Sequence, residues 1–564
     1  MAATVTIQSG ATWQEVAADR QKHRDATLAI VEPPLPDTLP DIPLHTIPIA
    51  KAILSVEEIQ ITESTVEDLV PGLAKGEISS VKVVAAFLRR AVLAQKATNC
   101  ITEVLSPQAL ERAKYLDEYL AKNGKPAGPL HGIPISVKEH VGMKDLDHNA
   151  GFVGWVGALA PADAHILQIL WKAGAVFYAR TTQPQCLMHL ETSSNLYGVT
   201  TNPFNTTLTP GGSSGGEGAL VGFRGSCLGI GTDIGGSIRS PAGNCGVYGM
   251  KPTSGRLPIG GLKACGAGEE QIVPSIGPLS TSLEGCKLFI KTIIDSKPWY
   301  REPSLLPFPW KEEEFFKSKR LKIAVLWDDG VVKPQPPVTR ALKQVVEKLK
   351  AKSNVEVVEW KPYKHDLAWE IIANLYFCDG GAEQSAAIAT SNEQWLPLSD
   401  HILKNKYVEN HSIASLYQAT IRREVYRMEY ANLWNSTATS TGPNGEPEGM
   451  VDVILGPVGP GCAPKIGTAK WWGYTSQWNL LDYPGLVFPV DKVDTSKDAA
   501  KETHTPRNEL DKENWDFWEQ NGAEGYKDAP LSLQLIGRRY EDEKIVQALE
   551  IIQQETGLPF VTYT

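Results

Sequence analysis

Apolar residues recur along this chain at the spacings typical of amphipathic helices and buried strands. After Ser79 and Ser80, which can cap a helix, apolar side chains at 81, 84, 88 and 92 would share one helical face. Residues 164–172 predict a further helix that ends at Gly174, and residues 175–179 predict the strand that follows it. The first part of the chain therefore predicts both helices and strands.

A strand, a helix and a second strand are predicted in direct succession at residues 321–327, 339–350 and 355–359. A last helix carries apolar residues at 545, 548, 549 and 552 and ends at Gly557. Alternation of this kind indicates the α/β class, with a sheet covered by helices.

Three segments lack such a pattern. Residues 1–54 are polar and then rich in proline, which predicts an arm lying on the main body. Residues 435–449 and 495–529 are polar and charged, and we expect surface loops or insertions there.

Composition narrows the functional classes. The chain has 564 residues, of which 42% are hydrophobic, enough for a large core, and this length alone suggests several domains. A net charge of −10 argues against a nucleic-acid partner or an anionic membrane surface. No apolar run approaches the roughly 18 residues of a membrane span.

The cysteines and histidines bear on the cellular compartment and on metal binding. The eight cysteines include no C-x-x-C pair, which suits a reducing cytoplasm better than a disulfide scaffold or a zinc ribbon. The first residues lack a basic region followed by an apolar stretch, so no signal peptide is expected. The histidines form no H-E-x-x-H pair, and we predict neither a metal nor a cofactor.

Two glycine-rich loops with serines, residues 211–218 (GGSSGGEG) and 231–239 (GTDIGGSIR), are the strongest chemical signal. Converging backbone N–H groups can form a hole for a developing negative charge, and a serine at its rim is what acyl transfer needs. Taken alone, either loop is more simply interpreted as an ordinary glycine-rich connection between two elements. A phosphate-binding loop is discounted, because Glu217 follows Gly216 where the Walker pattern needs lysine.

Ser213 also matches the G-x-S-x-G nucleophile elbow of α/β-hydrolases, although Thr209-Pro210 is not how a central strand ends. This alternative stays open at this stage. It would require a downstream histidine, for which the candidates are His365, His401, His411 and His504.

A third feature lies upstream, where residues 129–138 (PLHGIPISVK) predict an apolar strand with Lys138 at its end. Such a lysine alone is usually a surface charge. Together, Lys138, Ser213 and Ser237 closely resemble the amidase-signature family, and most closely its fungal acetamidase-like and general amidase branch. The resemblance runs from about Ser55 to the C-terminus and includes residues 247–253, 481–484 and 533–539.

This resemblance implies one large α/β domain over residues 55–564, with a mostly mixed sheet covered by helices on both faces. It also implies amide hydrolysis by a Ser-Ser-Lys triad. Ser237 would be the nucleophile and Ser213, after a cis peptide bond from Gly212, would relay the proton to Lys138. The base must be uncharged, so we expect Lys138 to be buried with neither Glu139 nor Asp145 touching it.

The resemblance further implies an oxyanion hole made by backbone N–H groups of the second loop, from Ile234, Gly235, Gly236 and Ser237. Asp233 and Arg239 are expected to brace this loop, and Ser214 to hydrogen-bond close to the serines. Candidate pocket walls are Leu187, Met188 and Trp472. His148 and Asn149 depart from the family, which usually has small hydroxyl residues there, before the glycine.

The predicted reaction converts a carboxamide, acetamide-like or another small aliphatic or aryl amide, to a carboxylic acid and ammonia or an amine. Two alternatives keep the fold: the glutamine-hydrolysing subunit of a tRNA amidotransferase, and a catalytically silent scaffold. The expected partner is a small-molecule amide, and the oligomeric state stays open, a homodimer included.

Overall fold

One mixed β-sheet of 11 strands organises the described part of the computed structural model, which covers residues 10–36, 40, 42–499 and 502–563. The strands, including four in two small hairpins, are β1 Ile101–Val104, β2 Pro134–Lys138, β3 Val176–Thr181, β4 Ser193–Ser194, β5 Gly198–Val199, β6 Leu228–Asp233, β7 Tyr248–Lys251, β8 Ser275–Ser280, β9 Leu321–Val325, β10 Val355–Glu359, β11 Ser440–Thr441, β12 Pro447–Glu448, β13 Val453–Pro457, β14 Gly485–Lys492 and β15 Pro530–Ile536.

The α-helices of the same residues are α1 Trp13–Ala29, α2 Ile49–Ile53, α3 Val56–Glu63, α4 Val66–Lys75, α5 Ser80–Thr98, α6 Ser106–Asn123, α7 His165–Lys172, α8 Gly215–Gly222, α9 Arg239–Asn244, α10 Leu283–Asp295, α11 Pro336–Lys350, α12 His365–Leu375, α13 Ala382–Ala389, α14 Pro397–Leu403, α15 Ile413–Asn435, α16 Gly473–Leu481, α17 Glu509–Gly525 and α18 Asp542–Thr556.

The sheet runs in the order β1-β3-β2-β6-β8-β7-β14-β15-β13-β9-β10. Parallel pairs at β3-β2-β6 and β13-β9-β10 flank a central antiparallel stretch, so the sheet is mixed as expected. Because β2 and β6 are adjacent and parallel, their carboxyl ends meet at one edge, which brings Lys138 close to Thr232 and Asp233.

Helices cover both faces of the sheet, which confirms the predicted architecture. Side chains of a strand alternate between faces. Ile323 and Val325 of β9 pack in one core with α11 and α18, whereas Ala324 packs in a second core with α12, α15 and α16. The neighbouring strand β13 divides its side chains in the same way.

The N-terminal segment lies along the edge of the sheet. Helix α1 begins with Thr12 and Glu15 in a reciprocal capping box and packs on β1. Thr27 of α1 accepts a hydrogen bond from the Val104 N–H at 3.1 Å, and His23 contacts Glu103 at 3.2 Å. A boundary between arm and domain at residue 54 stays a prediction.

The helices and strands that we predicted are present, and their ends differ by a few residues from the predicted ones. Ser79 caps α5 as expected by accepting from the Lys82 N–H. The single apolar face predicted for α5 was too narrow, since Phe87 and Leu93 are buried as well. The reason is that α5 packs between α3, α6, α8 and the sheet. Helix α11 begins at Pro336, earlier than predicted, because prolines suit the first turn.

The prediction of a surface loop at 495–529 was wrong for its second half. Residues 509–525 form α17, in which Trp515 and Trp518 are buried. Closely spaced charges masked the two tryptophans in the sequence pattern. The segment 435–449 is exposed as expected, and strands β11 and β12 form a hairpin there.

Replacement of a buried ring in α5 tests this packing. Phe87 is fully buried, and its ring lies edge-on to Tyr178 of β3 at 6.4 Å. Phe87→Ala is expected to lower the free energy of unfolding by about 3–5 kcal/mol, because it leaves a cavity. Lys82→Ala, on the exposed side of the same helix, should cost under about 1 kcal/mol. Equal losses in urea unfolding would contradict the packing.

Candidate active site

Ser213 and Ser237 line one cavity of about 320 Å³. Ser213 lies in the turn that leads into α8, and Ser237 lies between β6 and α9. Lys138, the last residue of β2, is not part of the cavity wall but contacts Ser213. The three residues singled out from the sequence therefore meet where β2 and β6 end.

Lys138 is fully buried, and hydroxyl groups surround its amine. Its Nζ lies 2.7 Å from Ser213 Oγ and 3.1 Å from Thr232 Oγ1. Burial lowers the pKa of Lys138 from 10.5 to about 7, although Asp233 and Glu217 act in the opposite direction. Such an amine is uncharged in a large fraction of molecules at neutral pH.

No carboxylate among the described residues forms an ion pair with Lys138. Glu139 instead accepts the backbone N–H groups of Asn149 at 2.6 Å and Ala150 at 3.1 Å. Asp145 lies 4.0 Å from the exposed Lys144 amine. Neither Glu139 nor Asp145 contacts the Lys138 amine, as we expected.

Glu217 is the buried acid whose role the sequence did not reveal. It lies in α8, where its carboxyl group contacts the Ser136 hydroxyl at 2.5 Å and the Thr181 hydroxyl at 2.8 Å. Burial raises the pKa of Glu217 to about 8. At neutral pH this side chain is therefore mostly uncharged.

His140 and Thr232 orient the lysine, and sequence reasoning missed both. His140 Nδ1 lies 2.9 Å from the Lys263 carbonyl oxygen, which can only accept, so Nδ1 carries the proton. Its Nε2 then accepts from Thr232 Oγ1 at 2.9 Å. Burial and the nearby Lys138 keep the pKa of His140 well below its usual value. The Thr232 oxygen is thus free to accept from Lys138.

Asp233 and Arg239 form a buried ion pair under the second loop. Both carboxylate oxygens accept from the guanidinium at 3.0 Å, and the amide of Asn479 adds a further hydrogen bond at 3.0 Å. Burial opposes ionisation, but Arg239 outweighs it and holds the pKa of Asp233 well below its usual range. Asp233 also accepts from the Gly236 and Ile238 N–H groups, which braces the loop, and it borders the cavity.

The backbone of this loop presents unpaired donors. The N–H groups of Ile234, Gly235 and Ser237 make no hydrogen bond to other described residues. The Gly236 N–H differs, because it donates to Asp233 at 2.9 Å. Gly236 has φ +134°, and an added Cβ would lie 2.3 Å from Thr475 Oγ1, so only glycine fits there.

The first loop has the peptide geometry that the resemblance implied. The bond between Gly212 and Ser213 is cis. Ser214 Oγ lies 3.3 Å from both the N–H and the carbonyl oxygen of Thr232, close to the serines as expected. In this described region the Ser213 and Ser237 hydroxyls are not hydrogen-bonded to each other.

Two of the three residues predicted to line the pocket do so. Leu187 and Met188 line the cavity, whereas Trp472 lies outside its wall. Its ring packs behind the loop, 6.0 Å from the ring of Tyr376, and borders a separate, smaller cavity. Helix α16 begins immediately after Trp472 and directs it into the aromatic core, which the sequence could not indicate.

His148 and Asn149 also lie outside the cavity wall. Asn149 Oδ1 accepts the Gly151 N–H at 3.0 Å, while its own N–H is held by Glu139. The two positions that depart from the family therefore do not line the cavity.

The nucleophile-elbow alternative loses its structural basis. The residues before Ser213 are not a strand, and none of His365, His401, His411 and His504 lines the cavity. Within the described ranges no group of three or more His, Cys, Asp or Glu side chains is arranged to hold a metal ion. In the same part of the chain, none of the helices combines the length and apolar character needed to traverse a bilayer.

Comparisons with known proteins point to one family. The family model described as Amidase matches residues 82–546. A Schizosaccharomyces pombe protein named as an amidase is 43% identical over 96% of this chain and 98% of its own length. The acetamidase of Emericella nidulans is 36% identical over 97% of this chain and 98% of its own. A solved fatty acid amide hydrolase has a TM-score of 0.89 and 35% identity, with 98% of this chain and 96% of that one covered.

The buried ion pair yields a stability prediction. Asp233→Asn keeps the shape of the side chain but leaves the Arg239 charge buried without its partner. We expect the free energy of unfolding to fall by about 3–5 kcal/mol. Glu370→Gln, which breaks the exposed pair with Arg422, should cost less than about 1 kcal/mol. Chemical denaturation measures both, and a neutral Asp233→Asn variant would contradict the bracing role.

Proposed function

The chain belongs to the amidase family and is a hydrolase of amide bonds, and from that premise we propose that it cleaves carboxamides through Lys138, Ser213 and Ser237. The observation that carries the proposal is the 2.7 Å hydrogen bond between the buried Lys138 amine and Ser213 Oγ. Amides resist attack, and a serine hydroxyl becomes an effective nucleophile only when a base removes its proton.

Lys138 acts as this base, and its environment supports the role. A pKa of about 7 leaves a useful fraction of uncharged amine at neutral pH. Because Thr232 donates to His140, it accepts from Lys138 and directs the amine towards Ser213. Ser213 passes the proton of Ser237 to the amine. The two serine hydroxyls approach within hydrogen-bond distance when substrate is bound, since catalytic contacts often tighten in the complex.

The oxyanion of the tetrahedral intermediate is stabilised by the unpaired N–H groups of Ile234, Gly235 and Ser237. Gly236 can join them only if Asp233 releases its N–H, so its participation stays a prediction. Each such donor is worth about a hundredfold to a thousandfold in rate.

The reaction then proceeds in two stages. Ser237 Oγ bonds to the carbonyl carbon while its proton passes through Ser213 to Lys138. The C–N bond breaks, the proton returns through Ser213 to the leaving nitrogen, and ammonia or an amine departs from an acyl-enzyme. Water, deprotonated along the same route, attacks the ester. The bond between the acyl carbon and Ser237 Oγ then breaks, the proton returns through Ser213 to Ser237, and the carboxylic acid leaves.

Two other roles remain as competing hypotheses for the same fold. A glutamine-hydrolysing amidotransferase subunit would need partner chains, whereas the full-length similarity to acetamidases favours a free-standing enzyme. A silent scaffold would have no reason to keep a buried, unpaired lysine next to Ser213. The eight unpaired cysteines favour a reducing compartment, for which we propose the cytoplasm.

Replacement of each proposed catalytic residue tests the triad. Ser237→Ala, Ser213→Ala and Lys138→Ala should each lower kcat/KM for a simple carboxamide by on the order of 10³-fold or more, because the three act as a unit. A fluorophosphonate probe should label wild-type protein at Ser237 and leave Ser237→Ala unlabelled. Ser296→Ala, at the exposed end of α10, serves as the control. Labelling at Ser213 instead, or full activity of Lys138→Ala, would refute the mechanism.

The lysine base also predicts the pH dependence. Below its pKa Lys138 is an ammonium ion and cannot take a proton, so kcat/KM should rise with pH through about 7 and then level off. Glu217→Gln should retain this rise of kcat/KM with pH, although Glu217 has a pKa of about 8, close to that of Lys138. A pH profile that is flat between 5 and 9, or that rises only near 10, would be inconsistent with a neutral lysine.

A further inference from the structure

The cavity beside the serines is larger than a simple acetyl group requires. Its volume of about 320 Å³ lies within the range of roughly 300–1,000 Å³ of pockets that bind drug-sized ligands. The acyl substituent of acetamide is a single methyl group. Apolar side chains make most of the wall, among them Leu187, Met188, Ile272 and Phe377. The space therefore suits an apolar acyl group of the size of an aromatic ring.

One polar side chain in this wall has no partner. Gln384, in the first turn of α13, is only 6% exposed and lines the cavity. Its side-chain amide makes no hydrogen bond within the described chain, and Oε1 is fully buried. A buried amide without partners costs free energy. Among the described residues that carry a buried polar atom without a partner, Gln384 is the one that lines this cavity.

Glu269 adds a second polar group to the same wall. It belongs to the loop before β8, and its nearest polar contact is the Cys378 thiol, which lies 3.8 Å from Oε1. Burial raises the pKa of Glu269 to about 8, so it is mostly uncharged at neutral pH. The Gly266 N–H of this loop donates to Glu383, next to Gln384, at 2.6 Å, which ties the loop to α13. Gln384 and Glu269 thus belong to two segments that are joined directly.

The charges around the cavity argue against a negatively charged ligand group. No lysine or arginine of the described residues lines it, so nothing would pair with a carboxylate. Asp233 is already paired with Arg239, and His140 is neutral. Gln384 Oε1 is fully buried, whereas its Nε2 is not, so the amide offers the cavity an N–H donor. A neutral oxygen such as that of a hydroxyl group could accept from it.

We propose that the acyl group of the substrate is apolar, of aromatic size, and carries an uncharged hydrogen-bonding group that Gln384 recognises. This inference rests on the proposed function, because it assigns the substrate class of the same site. Gln384 is a specificity residue here, and it takes no part in proton transfer.

Matched amides test the subsite. Wild-type protein and Gln384→Leu are compared on acetamide, phenylacetamide, 4-methylphenylacetamide and 4-hydroxyphenylacetamide. The wild type should prefer the hydroxyl compound over its methyl analogue about fivefold to tenfold or more in kcat/KM, the value of one neutral hydrogen bond. In Gln384→Leu this ratio should fall to about one or invert. Gln394→Leu, exposed and outside the cavity wall, should keep the wild-type ratio.

Binding to Ser237→Ala separates this inference from the proposed function. If no amide is hydrolysed, the proposed function fails, and calorimetry with the same compounds still decides the subsite by the same ratio of affinities. Two results overturn the subsite: acetamide as the best substrate, or a hydroxyl-to-methyl ratio that Gln384→Leu leaves unchanged. A preference for 4-hydroxyacetanilide over acetanilide without one among the phenylacetamides would also overturn it, because the polar group would then lie on the leaving amine.

Discussion

The site depends on the burial of one amine that forms no ion pair with any carboxylate of the described residues. Lys138 is fully buried and contacts only hydroxyl oxygens, and this desolvation lowers its pKa to about 7. A single ion pair would reverse the effect, because an opposite charge at contact favours the ammonium form. The fold prevents this by giving the nearby acids other partners, with Glu139 bound to backbone N–H groups and Glu217 to two hydroxyls.

Next to Thr232, the structure contains a buried charge that is fully paired. Asp233 and Arg239 are equally buried but fully paired, and their hydrogen bonds fix the loop that carries Ser237. Asp233 still acts to raise the pKa of Lys138, but burial of the amine outweighs this effect. The same small region therefore holds one buried charge among a full set of partners and one buried amine without an ion pair.

Much of this could be predicted from sequence, because the relevant signals are local. Glycine-rich loops, the strand that ends at Lys138 and the alternation around residues 321–359 depend on neighbours in the chain. The contacts that tune the site join distant segments and could not be predicted in this way. Thr232 meets His140 across two strands, Gln384 reaches the cavity from α13, and Trp472 turns away from it into the aromatic core. We did not predict helix α17, because charged residues surround its buried tryptophans in the sequence.

Direct titration of the Lys138 amine tests the central claim most closely. Protein with isotope-labelled lysine side chains, compared with Lys138→Met for assignment, would report the amine signal by NMR between pH 5 and 11. The account predicts a midpoint near 7. A midpoint near the ordinary lysine value of about 10.4 would contradict it, because the amine would then be charged at the pH where it must accept a proton.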